Sequence, residues 1–199
     1  MTDYFALLNE PRRPWLDAEA LKQKFHAVSG PLHPDRHHAS PPADQEAANA
    51  RFAELNSAYN CLREPKERLR HLLTLETGAR PKDLHEMPAD LSEMFMRVGA
   101  LNRQVESFLS ERAKANSPLL RVGFFERAQE WSDKLAALQR EISARSSTVL
   151  EQVRELDGRW LRGGPRAQLL PQLESCWRLL SFFSRWNGQV QDLIVQLNF

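Results

Sequence analysis

The chain has 199 residues, enough for one large domain or two small ones, with 42% hydrophobic and 27% charged residues. Its 27 Lys and Arg nearly balance 26 Asp and Glu, and neither side of residue 80 holds a basic excess (10 against 11 before it, 17 against 15 from it on), which argues against a nucleic-acid binder. No run nears the ~20 apolar residues of a membrane span, no leader pattern precedes Asp3, and Cys61 and Cys176 stand too far apart for a zinc cage or disulfide framework, so a cytoplasmic protein is expected.

Helix signals dominate in chain order, and alternating β-branched runs are missing. A short helix is predicted near Tyr4–Leu8, stopped by Glu10-Pro11-Arg12-Arg13-Pro14. Asp17 is the predicted N-cap of a second helix with Ala20, Leu21, Phe25 and Val28 on one face. Ser29-Gly30-Pro31 should end it, because Pro31 lacks a donor and restricts Gly30. After a polar loop from His37 to Pro42, a third helix starts at about Ala43, with Phe52, Leu55, Tyr59 and Leu62 at helical spacing. Pro65 interrupts it. A fourth piece carries Leu69, Leu72, Leu73 and Leu75, and Gly78 takes the place of a C′ glycine.

Segment 79–89, with Pro81 and Pro88, is the predicted boundary, separating residues 1–78 from 90–199. Three apolar stripes follow it. The first runs through Leu91, Met94/Phe95, Val98, Leu101, Val105 and Phe108. The second runs from Phe124/Phe125 through Ala128, Trp131, Leu135, Leu138, Ile142, Val149, Val153 and Leu156 to Trp160. After Gly163-Gly164-Pro165 a third continues through Leu169, Leu173, Cys176, Leu180, Phe183, Val190, Ile194 and Leu197. Spacings of three and four over so many turns predict an antiparallel three-helix bundle, and the chain is read as all-α.

Between the second and third helices stands His33-Pro34-Asp35. Pro34 fixes its own φ and keeps His33 out of the helical region, which stiffens the corner. Asp35 becomes a short-armed carboxylate on a rigid protrusion, suited to a charge-assisted bond with an arginine of a partner. Such a group loses little entropy on docking and can bias a partner's conformational equilibrium by differential contact. The plainer reading is an aspartate capping the next segment. His33 and His37, with His38 nearby, have a separation that suits a metal pair, but Pro34 breaks the helix they would need and no cysteine is close, so solvated loop histidines and no metal are expected. No Gly-rich phosphate loop, HExxH or catalytic triad order is present, so neither an enzyme nor a cofactor is expected.

The set Asp3-Tyr4-Phe5, Asp17-Ala18-Glu19-Ala20-Leu21, Phe25, His33-Pro34-Asp35, Leu55-Asn56-Ser57-Ala58-Tyr59, Leu62-Arg63-Glu64-Pro65 and Arg68 resembles a J-domain, and within that class the HscB co-chaperones of iron–sulfur cluster assembly. His71-Leu72-Leu73-Thr74-Leu75 looks like that family's Tyr-Leu-Leu-x-Leu segment. The resemblance covers residues 3–78 by motif and 90–199 by architecture only. It implies an N-terminal J-domain helical hairpin with short flanking helices, a linker at 79–89, and a client-binding bundle at 90–199. It also implies two partners: a DnaK- or HscA-type chaperone whose ATP hydrolysis is stimulated, and the scaffold protein on which clusters are built. The expected chaperone-docking residues are His33, Pro34 and Asp35, with Lys22, Lys24 and Arg36 steering. The expected scaffold-docking residues are Leu91, Glu93, Phe95 and Met96.

Val28-Ser29-Gly30-Pro31-Leu32 stands where more charge and helix are typical of J-domains, so steering toward an acidic groove should be weaker. The adaptable Met94-Phe95-Met96 run has an ordinary core reading for Met94 and Phe95, which leaves Met96 for the surface. Trp131, Trp160, Trp177 and Trp186 are expected to pack in cores rather than stack on bases. The alternating run Arg63-Glu64-Pro65-Lys66-Glu67-Arg68 reads as a solvated helix face. The competing function is a helical adaptor whose J-like half binds without stimulating.

Overall fold

The structure, a computed structural model, describes residues 1–32, 41–82, 88, 91–114 and 118–198, except the side chains of 118–122. The described residues hold seven α-helices and no strand: α1 (Tyr4–Leu7), α2 (Ala18–Ser29), α3 (Pro42–Arg63), α4 (Pro65–Thr77), α5 (Ser92–Lys114), α6 (Pro118–Leu161) and α7 (Arg166–Asn198). A 3₁₀ turn, Gly30–Leu32, follows α2. The helices form two compact units, Met1–Lys82 with Leu150–Trp177, and Asp83–Val149 with Arg178–Phe199.

In the first unit, local chemistry sets each helix end. The Asp3 carboxylate accepts from the N–H groups of Phe5 at 3.0 Å and Ala6 at 3.3 Å, and so starts α1. Asn9, at φ 53°, turns the chain away after it in a left-handed conformation that asparagine tolerates. Asp17 caps α2 as predicted, accepting from Ala20 N–H at 2.8 Å. Pro42 opens α3 and Pro65 opens α4, where a missing N–H costs no helical bond. Gly78 closes α4 at φ 76° with its N–H on the Thr74 carbonyl, the geometry expected of a C′ glycine.

Both α1 and α2 pack on α3, as does α4. Phe5, Leu8, Leu21, Phe25, Leu55, Ala58, Leu62, Leu69, Leu72 and Leu73 are buried between them. Each large apolar side chain so buried stabilises the unit by about 1.5–3 kcal/mol before entropy is counted. The α2 face is narrower than predicted, because Ala20 is exposed and Val28 only half-buried.

Arg68 corrects the reading of 63–68 as a solvated face, since it is only 4% exposed. Its Nε donates to the Pro14 carbonyl at 2.8 Å and its Nη1 to the Leu62 carbonyl at 2.7 Å, so it joins the 11–16 segment to the end of α3. Burial pulls its pKa down to about 10. The same segment is held from the other side by the end of α6. Arg13 makes a two-point pair with the buried Asp157, Nε donating to Oδ1 at 3.0 Å and Nη2 to Oδ2. The N–H of Trp15 also donates to Asp157 Oδ1 at 3.2 Å, and Trp160 Nε1 donates to the Arg12 carbonyl at 2.9 Å. Residues 150–177, read from sequence as part of the bundle, therefore pack with residues 1–82.

In the second unit, α5 and α6 run antiparallel. Arg97 near the start of α5 pairs with Glu141, while Glu111 near its end pairs with Arg127. Arg112 donates to the carbonyls of Leu197 at 2.9 Å and Gln196 at 2.7 Å, capping the C-terminal end of α7 where a cation is favoured. Met94, Val98, Val105, Phe108, Leu135, Leu138, Ile142, Val149, Phe183, Trp186, Val190 and Leu197 form the interior. Most of the predicted stripe residues are buried, but Phe95 (46%) and Phe125 (74%) are exposed, and Leu101, Ala128, Trp131 and Ile194 are only half-buried. Leu193, not among the predicted stripe residues, is buried.

Candidate functional site

The frame of the predicted docking corner is α2, the 3₁₀ turn and α3. Phe25 stacks on Tyr59 with ring centroids 4.5 Å apart and planes 18° apart, locking the two helices together. The 3₁₀ turn also packs on α3. Rather than stopping dead at Gly30, the chain therefore continues helical winding for one tighter turn through Pro31. Arg36 and the tripeptide His33-Pro34-Asp35 lie outside the described residues, as do His37 and His38.

Of the two lysines expected to steer a partner, Lys22 is exposed on α2. Lys24 is engaged: its Nζ lies 2.9 Å from Glu10 and donates to the Asn9 carbonyl at 3.2 Å. It ties α2 to the loop after α1, so Glu10 partly offsets its charge. Sequence reasoning missed this because Glu10 sits in a segment read only as a helix stop.

The N-terminal anchor of this unit is His71 on α4. It is 4% exposed, stacks against Tyr4 at 4.6 Å and Phe5 at 5.7 Å, and its Nε2 accepts the Tyr4 N–H at 3.1 Å. Burial depresses its pKa, which keeps the imidazole neutral and able to accept. The Asp3 carboxyl is raised by burial but brought below its ordinary value overall by the Arg12 hydrogen bond and the α1 N–H groups.

The scaffold-docking set divides. Leu91 is 2% exposed, so it is unavailable to a partner in the folded unit. Glu93, Phe95 and Met96 are exposed, with Met96 at 63%. Phe95 and Met96 thus expose apolar surface beside the Glu93 carboxylate at the start of α5. Among the described residues no group of three His, Cys, Asp or Glu side chains could hold a metal ion, and no helix is long and apolar enough to cross a membrane.

Residues 3–71 match the DnaJ domain family. The chain is 36% identical over 89 residues to a co-chaperone protein HscB homolog of Chromobacterium violaceum, covering 44% of this chain and 51% of that one. It is 40% identical over 70 residues to the corresponding protein of Bordetella petrii, covering 35% and 41%. The matched part thus spans about half or less of the curated relatives. In fold, the chain is similar to chaperone HscB from Vibrio cholerae (TM-score 0.56, 23% identity, 98% of this chain and 99% of that one). It is also similar to human co-chaperone protein HscB (TM-score 0.57, 18% identity, 96% and 81%). With α1 to α4 arranged as described and the tripeptide between α2 and α3 in sequence, residues 3–71 carry a DnaJ domain, and the chain shares the fold of the two HscB structures.

Proposed function

We propose that the chain stimulates ATP hydrolysis by a DnaK- or HscA-type chaperone and delivers a client to it, the client being an iron–sulfur cluster scaffold protein. The observation that carries this reading is His33-Pro34-Asp35 between two helices locked by Phe25 and Tyr59, inside the residues that match a DnaJ domain. Asp35 supplies the carboxylate for an arginine of the chaperone, Pro34 stiffens its backbone, and His33, Lys22 and Arg36 complete the docking face. Docking acts by favouring the hydrolysis-competent conformation of the partner, so no nucleophile is needed on this chain. Glu93, Phe95 and Met96 offer the scaffold an apolar anchor with an adjoining charge. The separate, unpaired thiols of Cys61 and Cys176 fit a reducing compartment such as the cytoplasm.

Capture of an ATP-loaded DnaK-class chaperone by the immobilised chain, lost with Asp35→Asn, tests the first half. Retention of a cluster scaffold by wild type and its loss in a Phe95→Ser/Met96→Ser variant tests the second. A second reading is an adaptor that docks without stimulating hydrolysis. Under that reading capture persists while hydrolysis stays at its basal rate.

A further inference from the structure

Around the turn between α6 and α7, Arg154, Arg159, Arg162 and Arg166 fall within thirteen residues of a chain whose net charge is only +1. Some other arginines pair with carboxylates, as in Arg97 with Glu141, Arg127 with Glu111 and Arg70 with Glu67. None of these four has a carboxylate partner among the described residues. Asp157, the nearest buried acid, is fully used by Arg13 and the Trp15 N–H. Arg159 donates only to the neutral Gln172 Oε1, at 3.1 Å.

Two of the four are held in place by aromatic faces rather than by charge. The Arg166 guanidinium lies 3.2 Å from the ring centre of Trp160, and that of Arg154 lies 5.1 Å from the ring centre of Trp15. A guanidinium set over an indole face loses rotamer freedom but can keep N–H groups open to grip a carboxylate. The Trp160 indole is itself fixed, being 3% exposed and bonded through Nε1 to the Arg12 carbonyl, and the Trp15 backbone is held by its N–H on Asp157. Arg154, Gly158, Leu161 and Arg162 fall at i, i+4, i+7 and i+8 on α6 and so share one helix face. Leu161 is 56% exposed on it, and at Gly158 the face has no side chain beyond the overlying Arg162 guanidinium. The result is a cationic surface with one exposed apolar side chain, Leu161, and the Arg162 guanidinium laid over Gly158.

We propose that this surface binds an acidic protein segment, one rich in Asp and Glu with a single apolar side chain to set against Leu161. Charge complementarity decides the class of partner, and the exposed leucine decides for a peptide over a bare polyanion. The surface lies on α6, the α6–α7 turn and the 11–16 segment, so it is independent of the tripeptide and of the chaperone reading.

The test is fluorescence anisotropy of a labelled twelve-residue synthetic peptide of alternating Glu and Asp with one central Leu, titrated with the full chain. Saturable binding is expected, weakening about tenfold or more as salt rises from ~50 to ~300 mM, because the pairs are exposed to screening. Arg154→Gln/Arg162→Gln/Arg166→Gln should weaken it about tenfold or more, each exposed pair accounting for a few-fold, while Arg140→Gln/Arg145→Gln leaves it unchanged. Where the triple variant fails to fold by circular dichroism, a peptide with Lys in place of every acid replaces it as the control and should not bind. No saturable binding, equal binding by the triple variant or the lysine peptide, or tighter binding of a DNA duplex of matched charge through the same arginines would overturn the proposal.

Discussion

Replacing Asp157 by alanine should loosen the first unit more than any surface change of similar size. The carboxylate is 3% exposed and accepts from three donors, two on Arg13 and one on the Trp15 backbone. Removing one partner of a buried pair costs about 3–5 kcal/mol, and an orphaned buried N–H costs about 1–3 kcal/mol. The Arg13 side chain is 25% exposed and can recover some hydration, which pulls the total toward the low end, about 3 kcal/mol. For a chain of this length that is a fall in melting temperature of about 6–12 °C. Urea unfolding of wild type, Arg13→Ala, Asp157→Ala and the double variant gives the coupling directly, and it should be about 1.5–3 kcal/mol, with the double variant less damaged than the sum of the singles. A loss below about 1 kcal/mol for Asp157→Ala, or a coupling within about 0.5 kcal/mol of zero, would refute the claim that this pair joins the 11–16 segment to α6.

Two further outcomes follow from particular contacts. His71 has its folded pKa lowered by burial, so just below its unfolded value of 6.5 the unfolded chain binds more protons than the folded one. Its contribution is complete above that value and is lost as pH falls toward the lowered folded one. The urea midpoint of wild type should therefore drop more steeply from neutral pH to pH ~5.5 than that of His71→Tyr, and parallel curves would contradict the role of the neutral imidazole. A Cβ added at Gly164 would lie 2.8 Å from the Arg159 carbonyl oxygen, so Gly164→Ala should cost about 1–3 kcal/mol in the same assay, and a neutral result would mean that the α6–α7 turn yields easily.

Much of the fold was legible because its signals are local. Asp17 as N-cap, Gly78 as C′ residue, and the three apolar stripes each depend on neighbours within one or two turns. Contacts far apart in sequence were not. Nothing near Arg13 announces Asp157, 144 positions away, and Arg68 looks like a surface charge until the Pro14 and Leu62 carbonyls that receive it are seen. Phe95 shows the limit of periodicity: it and Met94 are adjacent, the stripe needs only one of them, and Met94 is the one buried. On the docking side, the residue types were readable, but that Lys24 pairs with Glu10 depends on the loop after α1 folding back on α2.

On the proposed reading, an acidic, proline-stiffened corner drives a partner's ATP hydrolysis. Single-turnover hydrolysis by a DnaK-class chaperone, with wild-type protein and with Asp35→Asn, tests it most directly. Wild type should raise the rate well above the basal value and Asp35→Asn should return it there, a loss of about tenfold or more if the charge-assisted bond is worth the usual 1.5–3 kcal/mol. Equal rates with both proteins would contradict the account.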